Sequence, residues 1–213
     1  MLTDEDVAWI RANRAEIKQH RTESVTTEHK DGSMREALAI WKEPPSPSGT
    51  YVRNVGDYSV DENDYNVTFD DTVDINSVVR IHRRGRRYVL TDVDERGLGG
   101  LNRYECRAML AVTDGQSISV IKSGADDGWG IPAEAVSVPF PAFVTEETRT
   151  VRNQYGEEAV TQLRIILEGL APISYRDKVR YVNELGNVVE RTPQNIAVKR
   201  RVDGTPLVTE VFV

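Results

Sequence analysis

The chain has 213 residues, 39% hydrophobic and 29% charged, which is enough for one large or two small domains. Its formal net charge of -7 excludes a protein that wraps nucleic acid over its whole surface. One cysteine excludes an internal disulfide, and the acidic start without an apolar segment is not a signal peptide. The longest apolar stretch, Ala135–Val144, is too short to span a bilayer, so we expect no membrane contact and an intracellular protein or assembly component.

The first predicted element is a helix over residues 3–20. Thr3 with Asp6 three positions later resembles a capping box, and Val7 and Ile10 begin an apolar stripe. Such a helix either docks onto a neighbouring subunit or packs on its own domain, and the sequence leaves both interpretations open.

A β-hairpin is predicted next, because Ser24–His29 and Ala37–Lys42 flank an Asp31-Gly32 turn. A proline-rich loop at 44–49 ends this pair. The segment Asp57–Asp74 is rich in acidic residues and contains a short predicted strand, Asn66–Phe69.

The acidic residues of that segment lack the spacing of a calcium-binding loop, which favours a solvated loop. Three of them are candidate partner contacts: Asp61, Glu62 and Asp64.

The chain is organised around residues 74–112, which predict a small antiparallel β unit. Val79 and Ile81 begin a first strand, Gly85 lies in a predicted loop over 82–87, and Tyr88–Val93 forms the second strand. Arg103–Val112 then alternates strictly between apolar and charged residues, which is typical of a half-buried strand.

The strongest charge feature is the basic run at 80–87, with five arginines in eight residues. It has three interpretations: phosphate contacts, contacts with an acidic partner such as the 57–74 loop of a second copy, or a solvated hairpin tip. The candidate interaction residues are Arg80, His82, Arg83, Arg84, Arg86 and Arg87.

Beyond residue 112 the sequence predicts a strand at Ser117–Ile121 and a glycine-rich loop at Ser123–Gly130. The loop lacks the Lys-Ser/Thr ending of a phosphate-binding loop, so we expect no nucleotide there. Trp129 in this loop either anchors a partner or fills its own core. The proline-containing segment 131–144 predicts an extended connector.

From residue 148 the hairpin pattern returns weakly, with strands at 150–154 and 160–168 and shorter ones up to 213. The predicted fold is mainly β, with an N-terminal helix followed by two small antiparallel barrel or sandwich modules in tandem. The expected domains are 1–112, a Pro/Gly-rich connector at 113–144, and a second β-barrel at 145–213.

We find no predicted active site, metal site or cofactor site. His20, His29 and His82 are not spaced as metal ligands, and Cys106 lies on the apolar face of a strand, which is typical of an inert buried thiol. The Gly-x-Ser-x-Gly motif of many hydrolases is absent. We therefore expect a protein without enzymatic activity.

The N-terminus has the pattern Leu2-Thr3-Asp4-x-Asp6-x-x-x-Ile10-Arg11-x-Asn13-Arg14-x-x-Ile17, then Arg21-Thr22-x-x-Val25-Thr26. This pattern resembles the N-terminus of head-closure proteins (stoppers, or head–tail connectors) of long-tailed bacteriophages. The strands after it are similar to the compact barrel of that family, and the resemblance covers residues 2–112 best.

The resemblance implies a structural neck protein of the virion, assembled in the host cytoplasm. The implied partners are the portal and adaptor ring, tail-terminator or tail-tube proteins, copies of this chain in a ring, and packaged DNA in the lumen. The family's simplest members have one β domain, so the second predicted unit is a departure.

Two other functions remain open from the sequence. One is a nucleic-acid-binding β-barrel that uses the basic run 80–87, and the other is a phage-encoded hydrolase for which no residue pair stands out. We expect the isolated chain to be a monomer, because its predicted strands leave no large apolar stripe exposed.

Overall fold

The structure, a computed structural model, describes residues 3–42, 64–97, 103–122, 136–201 and 203–213. The described residues form a mainly β protein with one N-terminal α-helix, and the chain divides into two compact units, Met1–Leu110 and Ala111–Val213. The elements are α1 Asp4–Lys18, β1 Thr22–His29, β2 Met34–Lys42, β3 Asp64–Asp70, a 3-10 turn Ile75–Ser77, β4 Val78–Arg83, β5 Arg86–Arg96, β6 Arg103–Thr113, β7 Ser117–Lys122, β8 Val136–Pro141, β9 Phe143–Arg152, β10 Glu158–Glu168, β11 Lys178–Val182, β12 Val188–Arg191, β13 Asn195–Arg200 and β14 Pro206–Phe212.

The helix α1 begins where the sequence predicts it. The Thr3 hydroxyl oxygen accepts a hydrogen bond from the Asp6 amide at 3.2 Å, and the Asp6 carboxylate accepts one from the Thr3 amide at 2.9 Å. This reciprocal capping box satisfies two backbone N–H groups that the first turn leaves without partners. The Thr3 hydroxyl also donates to the Asp6 carboxylate at 2.7 Å, and this bond, together with that from the Thr3 amide, lowers the pKa of the Asp6 carboxyl group. The predicted helix is thus confirmed, with its last residue at Lys18.

The first unit contains a closed six-stranded barrel in the strand order β1-β2-β3-β6-β5-β4. Antiparallel pairing of β1 with β4 closes it, so that no strand of this sheet is left as an edge. Buried side chains alternate along β1 and β3, as expected for a pleated sheet, whereas β5 buries the consecutive residues Tyr88–Leu90. Large fully buried side chains of the barrel include Phe69, Ile81, Tyr88, Leu90 and Met109.

The predicted hairpin loop over residues 82–87 is wrong in length. Arg83 pairs directly with Arg86, so only Arg84 and Gly85 form the turn. Their φ angles of 50° and 70° are those of a type I′ turn, whose twist matches that of the flanking strands. Arg80, Arg83, Arg86 and Arg87 therefore lie on paired strands, and Arg84 lies in the turn.

The second unit consists of two four-stranded sheets, in the orders β13-β14-β10-β9 and β12-β11-β7-β8. Side chains from both sheets form one hydrophobic core. Its buried members include Ile118, Val120, Leu163, Ile165, Leu167, Val179, Tyr181 and Val211. The sequence left both a barrel and a sandwich open for this unit, and its described strands form two four-stranded sheets around one core.

The segment 113–144, which the sequence analysis treats as a connector, contains two strands of this unit. β7 and β8 pair antiparallel from Ser117 opposite Pro141 to Lys122 opposite Val136. The prolines that favour an extended connector are compatible with β8 because it is an edge strand, where a missing N–H removes no hydrogen bond from the sheet. The unit itself begins within β6, at Ala111.

An ion pair is buried between the two central strands of one sheet. Arg164 on β10 donates to the Glu210 carboxylate on β14 at 2.8 Å, and the two side chains are only 8% and 7% exposed. The half-exposed Lys199 of β13 approaches the same carboxylate at 3.0 Å. Charged residues in strands usually face solvent, so the sequence alone did not indicate this cluster.

Candidate interaction surfaces

The basic hairpin β4–β5 carries all six of the predicted interaction residues, and the carboxylates of β1 bind four of them. Arg80 and His82 both contact Glu28, with Arg80 Nη1 at 2.5 Å from Oε1 and His82 Nε2 at 3.0 Å from Oε2. Strand register explains this cluster, because β1 pairs with β4 and places Glu28 opposite Arg80.

The second carboxylate of β1, that of Glu23, binds Arg83 and Arg84. Arg83 Nε donates to Glu23 Oε1 at 2.7 Å, and Arg84 Nη2 donates to Glu23 Oε2 at 3.1 Å. The Arg83 side chain is only 8% exposed, whereas that of Arg84 is 71% exposed. Burial lowers the pKa of Arg83, but the hydrogen bond and charge of Glu23 outweigh it, so the net shift is upward and the guanidinium stays charged.

The Arg83 guanidinium contacts a cluster of three aromatic side chains through Trp41. Its central carbon lies 4.7 Å from the ring centroid of Trp41, which is a cation–π contact. Trp41 in turn packs edge-on against Tyr88, with ring centroids 4.7 Å apart, and Tyr65 lies 5.2 Å from Tyr88. No local sequence pattern indicates this aromatic cluster, because its rings come from three strands that are distant along the chain.

These contacts change the interpretation of the basic hairpin. Two carboxylates neutralise part of its charge, and Arg83 is held inside the unit rather than presented to a partner. Arg84 and Arg86 remain exposed at and beside the turn, while Arg87 is half-buried. The exposed cationic surface is therefore the hairpin tip, which we define as Arg84-Gly85-Arg86.

The Glu28 cluster predicts a pH dependence of stability. Burial raises the pKa of Glu28, but the hydrogen bond from His82 and the charge of Arg80 outweigh it, so the pKa of this carboxyl group in the folded protein lies below that of an ordinary glutamate. A depressed carboxyl pKa stabilises the fold above the unfolded pKa, and this stabilisation is lost as the pH falls through the folded value. Near neutral pH we expect Glu28→Gln to lower the free energy of unfolding by about 1 kcal/mol.

That difference between the wild type and Glu28→Gln should shrink as the pH falls below the ordinary glutamate pKa of about 4.3. Urea titrations of both proteins between neutral and acid pH would measure it. A difference that is the same at acid and neutral pH would show that the Glu28 charge contributes nothing.

The single cysteine is buried on β6, as predicted. Burial, with a smaller contribution from the charge of Asp92, raises the pKa of the Cys106 thiol to about 12. Because only the thiolate is nucleophilic, we expect a thiol reagent at mildly alkaline pH to label Cys106 only in concentrated urea. Rapid labelling of the folded protein would contradict this prediction.

His29 is buried, and its ring binds hydroxyl groups of its own unit. Nε2 lies 3.1 Å from Thr27 Oγ1, and Nδ1 lies 2.5 Å from Ser77 Oγ. The Ser77 hydroxyl also donates to the Asp74 carbonyl at 2.9 Å, so this network joins β1 to the turn before β4. In the described part of the chain, no three His, Cys, Asp or Glu side chains come together as metal ligands.

The helix α1 has one half-buried stripe and one exposed face. Val7, Ile10 and Arg14 form the stripe, and Arg11 makes an ion pair with Asp71 of the same unit at 3.1 Å. On the opposite side, Trp9 is 70% exposed. Within residues 3–16, no side chain is buried. The exposed face, which we call the Trp9 face, comprises Glu5, Trp9, Ala12 and Glu16.

Two shallow clefts in the second unit bring no catalytic set together. One, of about 410 Å³, is lined by residues that include Gln116, Arg180 and Tyr181. Burial raises the pKa of Tyr181, with smaller contributions from Glu184 and Glu146, so its phenol is protonated at neutral pH. The other, of about 480 Å³, is flanked by a Lys178–Glu190 ion pair.

Several predicted contacts cannot be placed. Trp129, Asp61 and Glu62 lie outside the described residues, and Asp64 begins β3 without a described side chain.

No protein-family model, curated protein or solved structure matches this chain. Its class is therefore defined by its own fold: a mainly β protein with an N-terminal helix, a closed six-stranded barrel and two further sheets. In the described ranges, no helix is both long and apolar enough to cross a bilayer.

Proposed function

We propose that this protein is a head-closure or neck protein of a tailed bacteriophage. It acts by assembly: copies form a ring between the portal–adaptor assembly and the tail, retain packaged DNA in the lumen and provide the tail-docking surface. The resemblance of residues 2–26 to that family supports the proposal. The second unit extends the neck or replaces a separate tail-side protein.

The observation that carries this proposal is the exposed face of α1. An isolated helix of 15 residues is marginally stable in water, and most helices in proteins are stabilised by packing of an apolar face. Here the largest side chain of the helix, Trp9, points away from the half-buried stripe. Exposed aromatic residues of this kind are frequent anchors of protein–protein interfaces. The arrangement supports a protein whose first helix is completed by a neighbouring subunit.

The charge distribution supports a ring whose lumen binds DNA only weakly. The net charge is -7, and Glu23 and Glu28 bind most of the arginines that a phosphate-binding hairpin would need. Phosphate contacts release counterions and give tight, salt-sensitive binding, which would hinder the passage of DNA. These pairings also weigh against a nucleic-acid-binding barrel, and no described group of residues favours a hydrolase.

Electron microscopy of virions assembled without this protein tests the proposal. Full heads that leak DNA and lack tails are the expected result, while normal tailed particles would refute it. A parallel measurement of DNA binding by the purified chain at low and moderate salt should show weak binding. Tight, salt-sensitive binding would instead support the nucleic-acid-binding alternative.

A further inference from the structure

The hairpin tip lies at the end of the barrel where Arg83 contacts Glu23, near the start of β1, and Trp41, near the end of β2. Ala39 pairs with both Glu23 and Phe69, so these two residues lie on one rung of the sheet. Asp71 follows β3 and lies two residues beyond that rung, in the direction that leads away from the hairpin tip.

The helix α1 contacts its own unit through Arg11, which makes an ion pair with Asp71. Three residues separate its last residue, Lys18, from Thr22, which begins β1. Trp9 is 70% exposed and the Arg84 side chain is 71% exposed, so the Trp9 face and the hairpin tip of one chain do not cover each other.

We propose that the Trp9 face of α1 docks onto the hairpin tip of a second copy of this chain. Glu5 and Trp9 are four residues apart and adjacent on one helix face. The first turn also carries Asp4 and Asp6, so this end of the helix is acidic where the tip is cationic. The proposal rests on the proposed function, because it specifies one contact of the ring.

The chemistry of this contact has a counterpart inside the barrel. Arg83 combines a hydrogen bond to a carboxylate, Glu23, with a cation–π contact to an indole, Trp41. The Trp9 face offers a carboxylate and an indole side by side. The hairpin tip offers the exposed guanidinium of Arg86 and the largely exposed one of Arg84, which also donates to Glu23. A weakly hydrated, planar guanidinium suits both partners at once.

A second copy is the occupant because the two surfaces of a single chain do not cover each other. The contact joins different surfaces on the two copies, so repeating it gives a closed ring or an open filament instead of an isolated dimer. Opposite charges on the two surfaces also favour this head-to-tail arrangement over tip-to-tip pairing.

Disulfide trapping tests the contact. One purified chain carries Ala12→Cys, an exposed position of the Trp9 face that leaves Glu5 and Trp9 in place, and the other carries Arg86→Cys. The two are mixed under mild oxidation, and the native Cys106 is buried and does not interfere. We expect a disulfide-linked heterodimer to form at least about tenfold faster than in a mixture of Ala12→Cys with Tyr155→Cys, because docking raises the effective concentration of the pair. Tyr155 is an exposed residue of the second unit and serves as the matched control position.

Charge reversal provides the second measurement. Adding Arg84→Glu to the Arg86→Cys chain should slow trapping about tenfold, because like charges then face each other. Equal rates for the test and control mixtures would overturn the proposed contact, as would trapping that is insensitive to this reversal. If virions made without the protein lack tails but no trapping occurs, the neck function stands and this contact is rejected. If trapping occurs but such virions are normal, the contact stands and the neck function is rejected.

Discussion

Replacing Glu210 with alanine is expected to lower the free energy of unfolding of the second unit by about 3–5 kcal/mol. Glu210 is the carboxylate that faces Arg164 at 2.8 Å, with both side chains almost completely buried. Removing it leaves the Arg164 guanidinium in a site of low dielectric without its carboxylate partner. That loss of a buried counter-charge costs far more than the loss of an exposed ion pair.

Urea unfolding followed by circular dichroism measures this effect. The matched control is Glu190→Ala, which removes the exposed pair with Lys178 and should change the free energy of unfolding by less than about 0.5 kcal/mol. A double replacement of Arg164 and Glu210 by methionine or leucine should recover most of the stability, because no charge then remains buried. A Glu210→Ala protein as stable as the Glu190→Ala control would contradict the prediction.

Replacing Arg83 with alanine is expected to lower the free energy of unfolding of the first unit by about 2–4 kcal/mol. A hydrogen bond to a charged group contributes about 1.5–3 kcal/mol, and the cation–π contact with Trp41 adds about 0.5–1 kcal/mol or more when desolvated. Both contacts are made by a side chain that is 8% exposed, so water replaces little of what is lost.

The neighbouring arginine on the same hairpin is the matched control. Arg86 is exposed and pairs with Arg83 across the strands, and Arg86→Ala should change stability by no more than about 0.5 kcal/mol. The pair of variants thus separates an arginine that holds the barrel together from one that is available to a partner. Equal effects of the two replacements would show that burial of Arg83 has no energetic consequence.

The sequence predicted the local elements best. The capping box of α1 depends on two residues three positions apart. The first hairpin depends on Gly32, whose φ is 80°, between β1 and β2. Each of these patterns involves only a few neighbouring residues, so it can be recognised in the sequence without knowledge of the fold. The short strand predicted at 66–69 lies within β3, and the burial of Cys106, which follows from the alternation of 103–112, is also confirmed.

The errors arose where partners are distant along the chain. Glu23 and Arg83 are 60 residues apart, and no local pattern indicates that the closure of the barrel brings them together. The prolines of segment 113–144 predict a connector. Prolines are nevertheless acceptable in β8 because it is an edge strand, and only the topology of the whole sheet determines which strand is at the edge. The prediction of two like modules in tandem remains a prediction.

By itself, the sequence determined a mainly β chain with one capped N-terminal helix, an acidic net charge and an arginine-rich hairpin. Only the tertiary structure decided which arginines are bound and which are presented, because closing β1 against β4 places Glu23 and Glu28 beside them. It also decided that the Trp9 face of α1 points away from its own barrel, since packing, rather than helix propensity, selects the stripe that becomes half-buried.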